Sequence, residues 1–330
     1  MLEPLVESTR GVDGVETAEC IHVGAVAVVD VTGRLVAQAG DPDFQTFTRS
    51  TIKPFQALPL VEGGGAARLG WGSEELALTC ASHSGGPSHL DVVRRMLRSA
   101  GQDAARLQCG CHVPLRFAAT GTVPAAGERF DAVTNNCSGK HAGFLAWCAQ
   151  HDAPHETYLE QAHPLQRAVR HAVSQACEVA PDAMAVGIDG CSAPNYAMPL
   201  QRLALGYARL ARGDGALGPL RDAMTAHPAL VSGQGRNDLA LMQAAPGDWV
   251  AKVGADGVQA IGVRSAGLGI AVKAAGGDNR AACIAAIAVL RALGLLRAVQ
   301  DTPLAAFAAP EIRNARGTVT GRLRPVFTLR

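Results

Sequence analysis

The segment RSTIKPFQ, residues 49–56, places a serine and a lysine three positions apart. If it begins a helix, Ser50 and Lys53 lie on one face, where a hydroxyl and an amine can share a hydrogen bond. A lysine in a desolvated pocket loses its proton readily and can accept the serine proton. The spacing predicts a nucleophile, Ser50, with its base, Lys53, although a helix-capping serine beside a surface lysine gives the same pattern.

Lysine is rare in this chain. Of 30 basic residues, only four are lysines: Lys53, Lys140, Lys252 and Lys273. Because a guanidinium stays charged at ordinary pH, arginine cannot act as a base or offer a free amine. The lysines are therefore candidates for that work, except Lys273, for which the sequence indicates no role.

Two further segments resemble elements of serine β-lactamases and penicillin-binding proteins. Ser82-His-Ser84 resembles the S-x-N element, and Lys252-Val-Gly254 resembles the K-T-G element on a strand beside the active site. Both follow the serine–lysine pair in the order of that superfamily. A serine-glycine loop and an exposed strand lysine are the simpler interpretations.

A group of cysteines has the residue types of a metal site. Cys137 lies three residues before Lys140 and four before His141, and Cys191 follows a glycine. Two thiolates with one nitrogen donor suit zinc. The residue types alone favour Cys137, His141 and Cys191, because a lysine must lose its proton before it can bind metal. A second pair, Cys109 and Cys111, is closely spaced for a tetrahedral site.

The pattern of elements predicts an α+β fold. Residues 24–41 indicate two strands joined by a turn, and residues 248–274 indicate further strands with tight turns. Residues 281–299 predict an apolar helix that packs on this sheet. Hairpins outnumber crossover units, which favours a central, mainly antiparallel sheet flanked by helices. We expect one catalytic unit over residues 1–330, with room for two closely packed subdomains.

The composition excludes several classes of protein. The net charge is +1 and charged residues make up 18%, with no basic stripe for nucleic acid and no polybasic membrane patch. The start of the chain lacks a secretion-signal pattern, and arginines interrupt the longest apolar run. Nine cysteines at irregular spacing favour free thiols or metal ligands. We expect a cytoplasmic enzyme that binds neither membrane nor nucleic acid.

Together these segments resemble a known family, the rhizobial-type L-asparaginases or asparaginase II family. The segments that carry the resemblance, from Val6 to the C-terminus, are RSTIKPFQALPLVE, ELALTCASHSGGPSH, CGCHVP, NNCSGKHAGFLA, GIDGCSAPNYAMPL, HPALVSGQGRND and AKVGADGVQAIGV. The resemblance implies a fold like that of serine β-lactamases, penicillin-binding proteins and glutaminases. It also implies homodimers and hydrolysis of L-asparagine to L-aspartate and ammonia.

The resemblance further implies which residues act. The catalytic pairs would be Ser50 with Lys53, and Ser82 with Lys252. A zinc ion would be held by three residues of the thiol segment: Cys137, Lys140 and Cys191. We expect this zinc to support substrate binding rather than chemistry, with no organic cofactor.

An amino-acid substrate also needs partners for its charged groups. We expect Arg49 to bind the α-carboxylate, with His141 beside it, and Asp189 to bind the α-ammonium group. Backbone N–H groups near Ser50 would stabilise the oxyanion. A structural polar contact is the simpler interpretation of each residue.

Two other functions fit parts of this pattern. One is a glutaminase or another β-lactamase-like serine amidohydrolase, which an assay of several amides would distinguish. The other is a catalytically silent, zinc-binding amino-acid sensor on the same scaffold. The joint presence of both serines and both lysines argues against the sensor.

Overall fold

The computed structural model describes residues 1–12 and 15–330. Two antiparallel sheets and the helices packed on them form an α+β architecture. The predicted fold class is therefore confirmed.

The described residues form eleven strands. They are β1 (Glu3–Val12), β2 (Val15–Asp30), β3 (Leu35–Ala39), β4 (Gln45–Phe47), β5 (Ala185–Ile188), β6 (Pro194–Pro199), β7 (Trp249–Gly254), β8 (Val258–Val263), β9 (Leu268–Ala274), β10 (Glu311–Arg313) and β11 (Val319–Pro325).

The same residues form fourteen α-helices and several 3₁₀ turns. The helices are α1 (Lys53–Gln56), α2 (Leu58–Glu62), α3 (Gly65–Arg68), α4 (Ser73–Thr79), α5 (Pro87–Ser99), α6 (Leu115–Thr120), α7 (Ser138–Gln150), α8 (Pro164–Cys177), α9 (Leu200–Arg212), α10 (Leu217–Ala226), α11 (Pro228–Val231), α12 (Asn237–Ala244), α13 (Asn279–Ala292) and α14 (Ala305–Ala308). The 3₁₀ turns are Arg49–Ile52, Ala104–Arg106, Ala132–Thr134, Pro181–Ala183 and Val299–Asp301.

The larger sheet has the order β10-β11-β1-β2-β9-β8-β7, and β3 pairs with β2. Every pairing in it is antiparallel. The edge strand β7 carries Lys252, and its register places Lys252 opposite Ala260 of β8. The smaller sheet has the order β4-β6-β5. Its strand β4 ends at Phe47, just before the turn that contains Ser50.

Helices α9 and α13 both pack against the larger sheet. Two glycines let α9 approach it closely, since a Cβ at Gly262 would lie 2.4 Å from the Tyr207 carbonyl and one at Gly269 would lie 1.8 Å from the Ala204 carbonyl. The Tyr207 hydroxyl donates to the carbonyl of Thr51 at 2.7 Å. Packing of α9 therefore also holds the turn at residues 49–52.

Helix α7 lies in the middle of the helical part of the molecule. Its residues 138–148 are all buried, among α2, α4, α5 and α8. A helix that is apolar on all sides is typical of such a buried position. The burial of α7 brings Lys140 and His141 into the protein interior.

The structure differs from two of the predicted helices. The helix predicted at 281–299 is observed as Asn279–Ala292, and Gly294 beyond its end has a φ of 72°. The segment that begins at Ser50, which the sequence indicates as a possible helix start, forms three short helices, because Pro54, Pro59 and the glycines at 63–65 interrupt it.

Within residues 1–12 and 15–330, no helix combines the length and the apolar character needed to cross a membrane.

Candidate active site

Lys53 is a buried lysine at the start of α1, with 1% of its side chain surface exposed. Its Nζ donates to the Ala81 carbonyl at 2.6 Å, and lies 2.9 Å from Ser82 Oγ and 3.1 Å from Cys137 Sγ. These partners come from the loop after α4 and from the residue that precedes α7. One amine therefore joins the serine loop to the thiol cluster.

The observed contacts differ from the predicted pairing. Lys53 contacts Ser82, whereas the sequence paired Lys53 with Ser50 and Ser82 with Lys252. The reason is reach: the long side chain of Lys53 extends away from its own turn to the two acceptors of the 81–82 loop. Lys252 instead contacts Asp238. The structure thus brings Lys53 and Ser82 together and gives Lys252 a different partner.

Ser50 lies in the 3₁₀ turn Arg49–Ile52 and is half-buried. Its hydroxyl makes no hydrogen bond in the described part of the chain. The turn is held close to β7, since a Cβ at Gly254 would lie 2.9 Å from the Thr48 carbonyl and 3.1 Å from Arg49 Cβ. Ser50 therefore combines access to solvent with a free hydroxyl.

Arg49, directly before Ser50, has a left-handed backbone with a φ of 50°. This conformation is uncommon for a residue other than glycine and costs about 1–3 kcal/mol. The side chain of Asn195 holds it, because its Oδ1 accepts from Arg49 N–H at 3.0 Å and its Nδ2 donates to the Arg49 carbonyl at 3.0 Å. This strained conformation of Arg49 sets the direction in which the chain runs from β4 to Ser50.

The guanidinium of Arg49 binds two carboxylates. Its Nε donates to Asp189 Oδ1 at 2.8 Å, and its Nη1 pairs with Asp256. The Asp189 side chain is 11% exposed and that of Asp256 is 69% exposed. The sequence predicted Arg49 and Asp189 as separate substrate contacts, and the structure shows an ion pair between the two residues.

A cavity of about 390 Å³ opens beside Arg49. It is lined by Arg49, Asn195, Asp256 and Lys273, and by apolar side chains that include Phe47. The Lys273 Nζ donates to the backbone carbonyl of Asp256. Lys273, to which the sequence assigned no role, therefore supports the turn that carries Asp256.

Two buried thiols and a lysine meet at the start of α7. Cys137 and Cys191 are both buried, and Lys140 Nζ lies 3.0 Å from Cys191 Sγ. A hydrogen bond from Cys137 and the ammonium group of Lys140 lower the pKa of Cys191, whereas contact with Cys191 and burial raise the pKa of Cys137. Burial alone would lower the pKa of Lys140, but the charge of Cys191 raises it. The hydrogen bond from Cys137 and the charge of Lys140 thus favour a thiolate at Cys191 rather than at Cys137.

His141 is fully buried beside this cluster. Its Nδ1 lies 2.7 Å from the Tyr158 hydroxyl, and its Nε2 has no hydrogen-bond partner among the described residues. Burial lowers the pKa of His141 to about 4, so its imidazole is neutral. A neutral buried imidazole with one open nitrogen is suited to bind a substrate or a metal.

The donors present fit a zinc ion. Cys137, Lys140 and Cys191 lie together at the start of α7, with Lys140 Nζ 3.0 Å from Cys191 Sγ, and thiolate sulfur and nitrogen are donor types that zinc accepts. In residues 1–12 and 15–330, no three side chains of histidine, cysteine, aspartate or glutamate are placed so that they could hold a metal ion. A metal here would therefore depend on the amine of Lys140, which has to lose its proton first.

The loop of Ser82 is fixed from both sides. The Ser82 N–H donates to the Val231 carbonyl at 3.0 Å, and Arg236 Nη1 donates to the Ser82 carbonyl. The hydroxyls of Ser84 and Ser232 are buried and have no hydrogen-bond partner among the described residues. The sequence did not identify Arg236, although it follows the glycine-rich run SGQG at residues 232–235.

Lys252 is fully buried on β7. Its Nζ lies 3.3 Å from Asp238 Oδ2 and donates to the Val253 carbonyl at 2.7 Å. Burial lowers the pKa of Lys252 to about 8, and the carboxylate of Asp238 opposes this effect. The sequence did not identify Asp238, which belongs to helix α12 and lies 14 residues from Lys252.

A search of curated proteins gave no match. Among the solved structures that match is a crystal structure of Mglu in its native form, with 19% identity and a TM-score of 0.38. That match covers 83% of this chain and 65% of the Mglu chain, so this chain spans less than two thirds of its length. Residues 6–325 match the family described as L-asparaginase II, which is nearly the whole of this sequence. The chain belongs to the L-asparaginase II family.

Proposed function

We propose that this enzyme is an L-asparaginase, which hydrolyses the side-chain amide of L-asparagine to L-aspartate and ammonia. The observation that carries the proposal is the buried Lys53 amine, 2.9 Å from Ser82 Oγ and one turn after the accessible Ser50. Family membership supports an amidohydrolase, and amide hydrolysis needs a nucleophile, a base and a proton donor.

The cavity beside Arg49 would receive the amino acid. The Nη2 of Arg49 has no hydrogen-bond partner in the described residues, so it remains available for a substrate carboxylate. Asp189 would bind the α-ammonium group, and His141 would lie beside the bound substrate through its open Nε2. Phe47 and Ile188 provide apolar surface at the entrance.

In the first step Ser50 Oγ attacks the amide carbon and its proton passes to Lys53 as a neutral amine, which requires the Lys53 Nζ to turn from Ala81 and Ser82 toward Ser50. Ser82 orients Lys53 through their hydrogen bond. The C–N bond then breaks, the nitrogen keeps the bonding electrons, and Lys252 supplies the proton that releases ammonia. Backbone N–H groups at the 49–52 turn would stabilise the oxyanion.

The second step reverses these proton transfers. Water attacks the ester carbon and loses a proton to Lys252, which is neutral after the first step. The ester bond breaks, and Ser50 Oγ regains its proton from Lys53. Both lysines then have their starting protonation states, and the products are aspartate and ammonia.

We also propose that Cys137, Lys140 and Cys191 hold zinc. When bound, the metal would supply a positive charge that neutralises the two thiolates and orders the loops near Arg49 and Asp189. This role supports substrate binding rather than chemistry. The proposed homodimer and the proposed cytoplasmic location rest on the family resemblance and on the composition.

Ammonia release from L-asparagine tests the proposal. We expect Ser50→Ala to abolish turnover with an unchanged circular dichroism spectrum, and the surface variant Ser265→Ala to retain it. Mass spectrometry of a quenched reaction should find the acyl group on the peptide that contains Ser50. An acyl group on Ser82, or full activity of Ser50→Ala, would overturn the assigned nucleophile.

The same assay on L-glutamine and a chromogenic β-lactam separates the alternatives. Faster release from glutamine would make the enzyme a glutaminase, and β-lactam opening would indicate a broader amidohydrolase. Zinc binding without turnover of any amide would favour the sensor. Molar mass in solution, from light scattering, tests the proposed homodimer.

A further inference from the structure

Asp238 is a fully buried carboxylate whose side-chain contacts are all with hydrogen-bond donors. Its Oδ2 accepts from Val253 N–H at 2.9 Å and lies 3.3 Å from Lys252 Nζ, and its Oδ1 accepts from Gln259 Nε2 at 3.2 Å. A protonated carboxyl would need an acceptor for its own proton. Because these partners donate, Asp238 is ionised.

The orientation of Gln259 supports this conclusion. Its Oε1 accepts from Asn237 Nδ2 at 2.7 Å, and its Nε2 also donates to the Ala260 carbonyl at 3.3 Å. A flipped amide would place a donor against Asn237 Nδ2 and an acceptor against Asp238. The amide therefore presents its N–H to Asp238, as an ionised carboxylate requires.

An ionised carboxylate without solvent contact needs a cation. Within residues 1–12 and 15–330, the ion pair of Asp238 is with Lys252, which is also 0% exposed. Two N–H groups of the ammonium are used by Asp238 and the Val253 carbonyl. The third N–H group has no hydrogen-bond partner in the described part of the chain, so it is available to donate a proton.

We propose that Asp238 is a positioning residue that holds Lys252 in place as an ammonium ion, ready to give the proton that releases ammonia. This inference rests on the proposed function, because the proton is needed only if an amide is cleaved. Asp238 acts through Lys252 and does not touch the substrate.

The other charged and titratable groups near this pair cannot replace Asp238. Lys53 and Arg236 lower the pKa of Lys252, as does its burial. Cys80 is near Lys252, and Tyr207 and Cys283 are near Asp238, but burial raises the pKa of each, so all three are neutral. Among these groups, Asp238 carries the negative charge that favours the ammonium form of Lys252.

The test compares Asp238→Asn with the wild type in ammonia release across pH. Asparagine removes the charge at nearly constant volume, so we expect the alkaline limb of kcat to move by about one unit or more toward lower pH. KM should change less than kcat. The matched control is Asp248→Asn, a half-buried carboxylate directly before β7 that binds Ser265. An alkaline limb of Asp238→Asn that coincides with that of the wild type would overturn the inference.

A second measurement separates this inference from the proposed function and from misfolding. If the wild type releases no ammonia from any amide, the proposed function fails, and the ion pair is judged by urea unfolding. Lys252→Met leaves a buried unpaired carboxylate, so the double variant Asp238→Asn, Lys252→Met should unfold at a higher urea concentration than Lys252→Met. A double variant that is no more stable than Lys252→Met would show that the two charges are not coupled.

Discussion

The Nζ of Lys53 lies 2.9 Å from the Oγ of Ser82, a residue 29 positions away in the sequence. This contact, together with the Ala81 carbonyl at 2.6 Å, orients an amine that has 1% exposure. The serine that precedes Lys53 by three positions is left half-buried and accessible. The arrangement separates the accessible hydroxyl, Ser50, from the buried hydroxyl that orients the base.

Replacement of Lys53 by arginine keeps a long nitrogen-bearing side chain but removes the group that accepts the proton. A guanidinium does not lose its proton in proteins, so we expect Lys53→Arg to lower kcat for asparagine by about 10²-fold or more. Lys53→Met should lose activity to a similar extent. Steady-state ammonia assays and thermal melting check this prediction. Near wild-type kcat in Lys53→Arg would exclude Lys53 as the base.

The sequence singled out Lys53, Ser82 and Lys252 as candidates but did not show which residues each of them contacts. Residue types and local spacing predict which groups can react, whereas pairing depends on how distant segments pack. Ser50 and Lys53 are neighbours in sequence, yet the side chain of Lys53 extends to the loop after α4.

The same limit explains the residues that were missed. Arg236, Asp238 and Asp256 each contact a predicted residue that lies in another element. The segment GRND at 235–238, which follows a glycine-rich run, offered a local signal for two of them. The α+β class could be predicted because strand and helix patterns are local. The end of α13 was missed because a left-handed Gly294 follows the helix.

The two carboxylates on Arg49 should contribute differently to substrate binding. Asp189 is 11% exposed and Asp256 is 69% exposed, and exposed ion pairs contribute little. We expect Asp189→Asn to raise KM for asparagine by about tenfold or more, which corresponds to about 1.4 kcal/mol. Asp256→Asn should raise it less.

Initial-rate kinetics and competition by L-aspartate measure both effects. An equal rise in KM for the two variants would contradict the distinction, and a fall in kcat at unchanged KM would assign Asp189 to the chemical step. Asp182→Asn is a suitable control, because Asp182 is exposed at the distant turn 181–183.

Zinc removal should affect binding more than turnover. If Cys137, Lys140 and Cys191 hold zinc, a chelator should raise KM more than it lowers kcat, because the metal would order the loops near Arg49. Cys191→Ser should lower the zinc content of the purified protein, as measured by atomic emission.

Cys148→Ala provides the matched control, since Cys148 is buried on the same helix, away from the cluster. Unchanged zinc content in Cys191→Ser would remove Cys191 from the metal site. A collapse of kcat at constant KM after chelation would show that the metal takes part in the chemistry.

The buried histidines should make the fold less stable in acid. Burial lowers the pKa of His89 below its ordinary value of 6.5, while its Nδ1 accepts from Gly86 N–H. Below pH 6.5 the unfolded chain binds a proton that the folded chain does not, so the free energy of unfolding falls as pH falls toward the folded pKa. Replacement by glutamine should make this dependence less steep.

Urea unfolding at a series of pH values measures how steeply the free energy of unfolding depends on pH in the wild type and in His89→Gln. His83 and His141 titrate in the same direction and are retained in both proteins, so the difference reports His89. The exposed His171 provides the control variant His171→Gln. Parallel curves for wild type and His89→Gln would contradict the prediction.

Gly254 sets how closely the turn of Ser50 approaches β7. A Cβ at this position would lie 2.9 Å from the Thr48 carbonyl, which is backbone and cannot move aside easily. We therefore expect Gly254→Ala to displace the turn, lower kcat/KM, and destabilise the fold by about 1–3 kcal/mol. Gly276→Ala is the matched control, because no atom lies within 4 Å of its added Cβ. Urea unfolding and ammonia assays on both variants distinguish displacement of the turn from a general effect of alanine. Equal stability and equal kcat/KM of the two variants would show that the contact between β7 and residues 48–49 does not control the site.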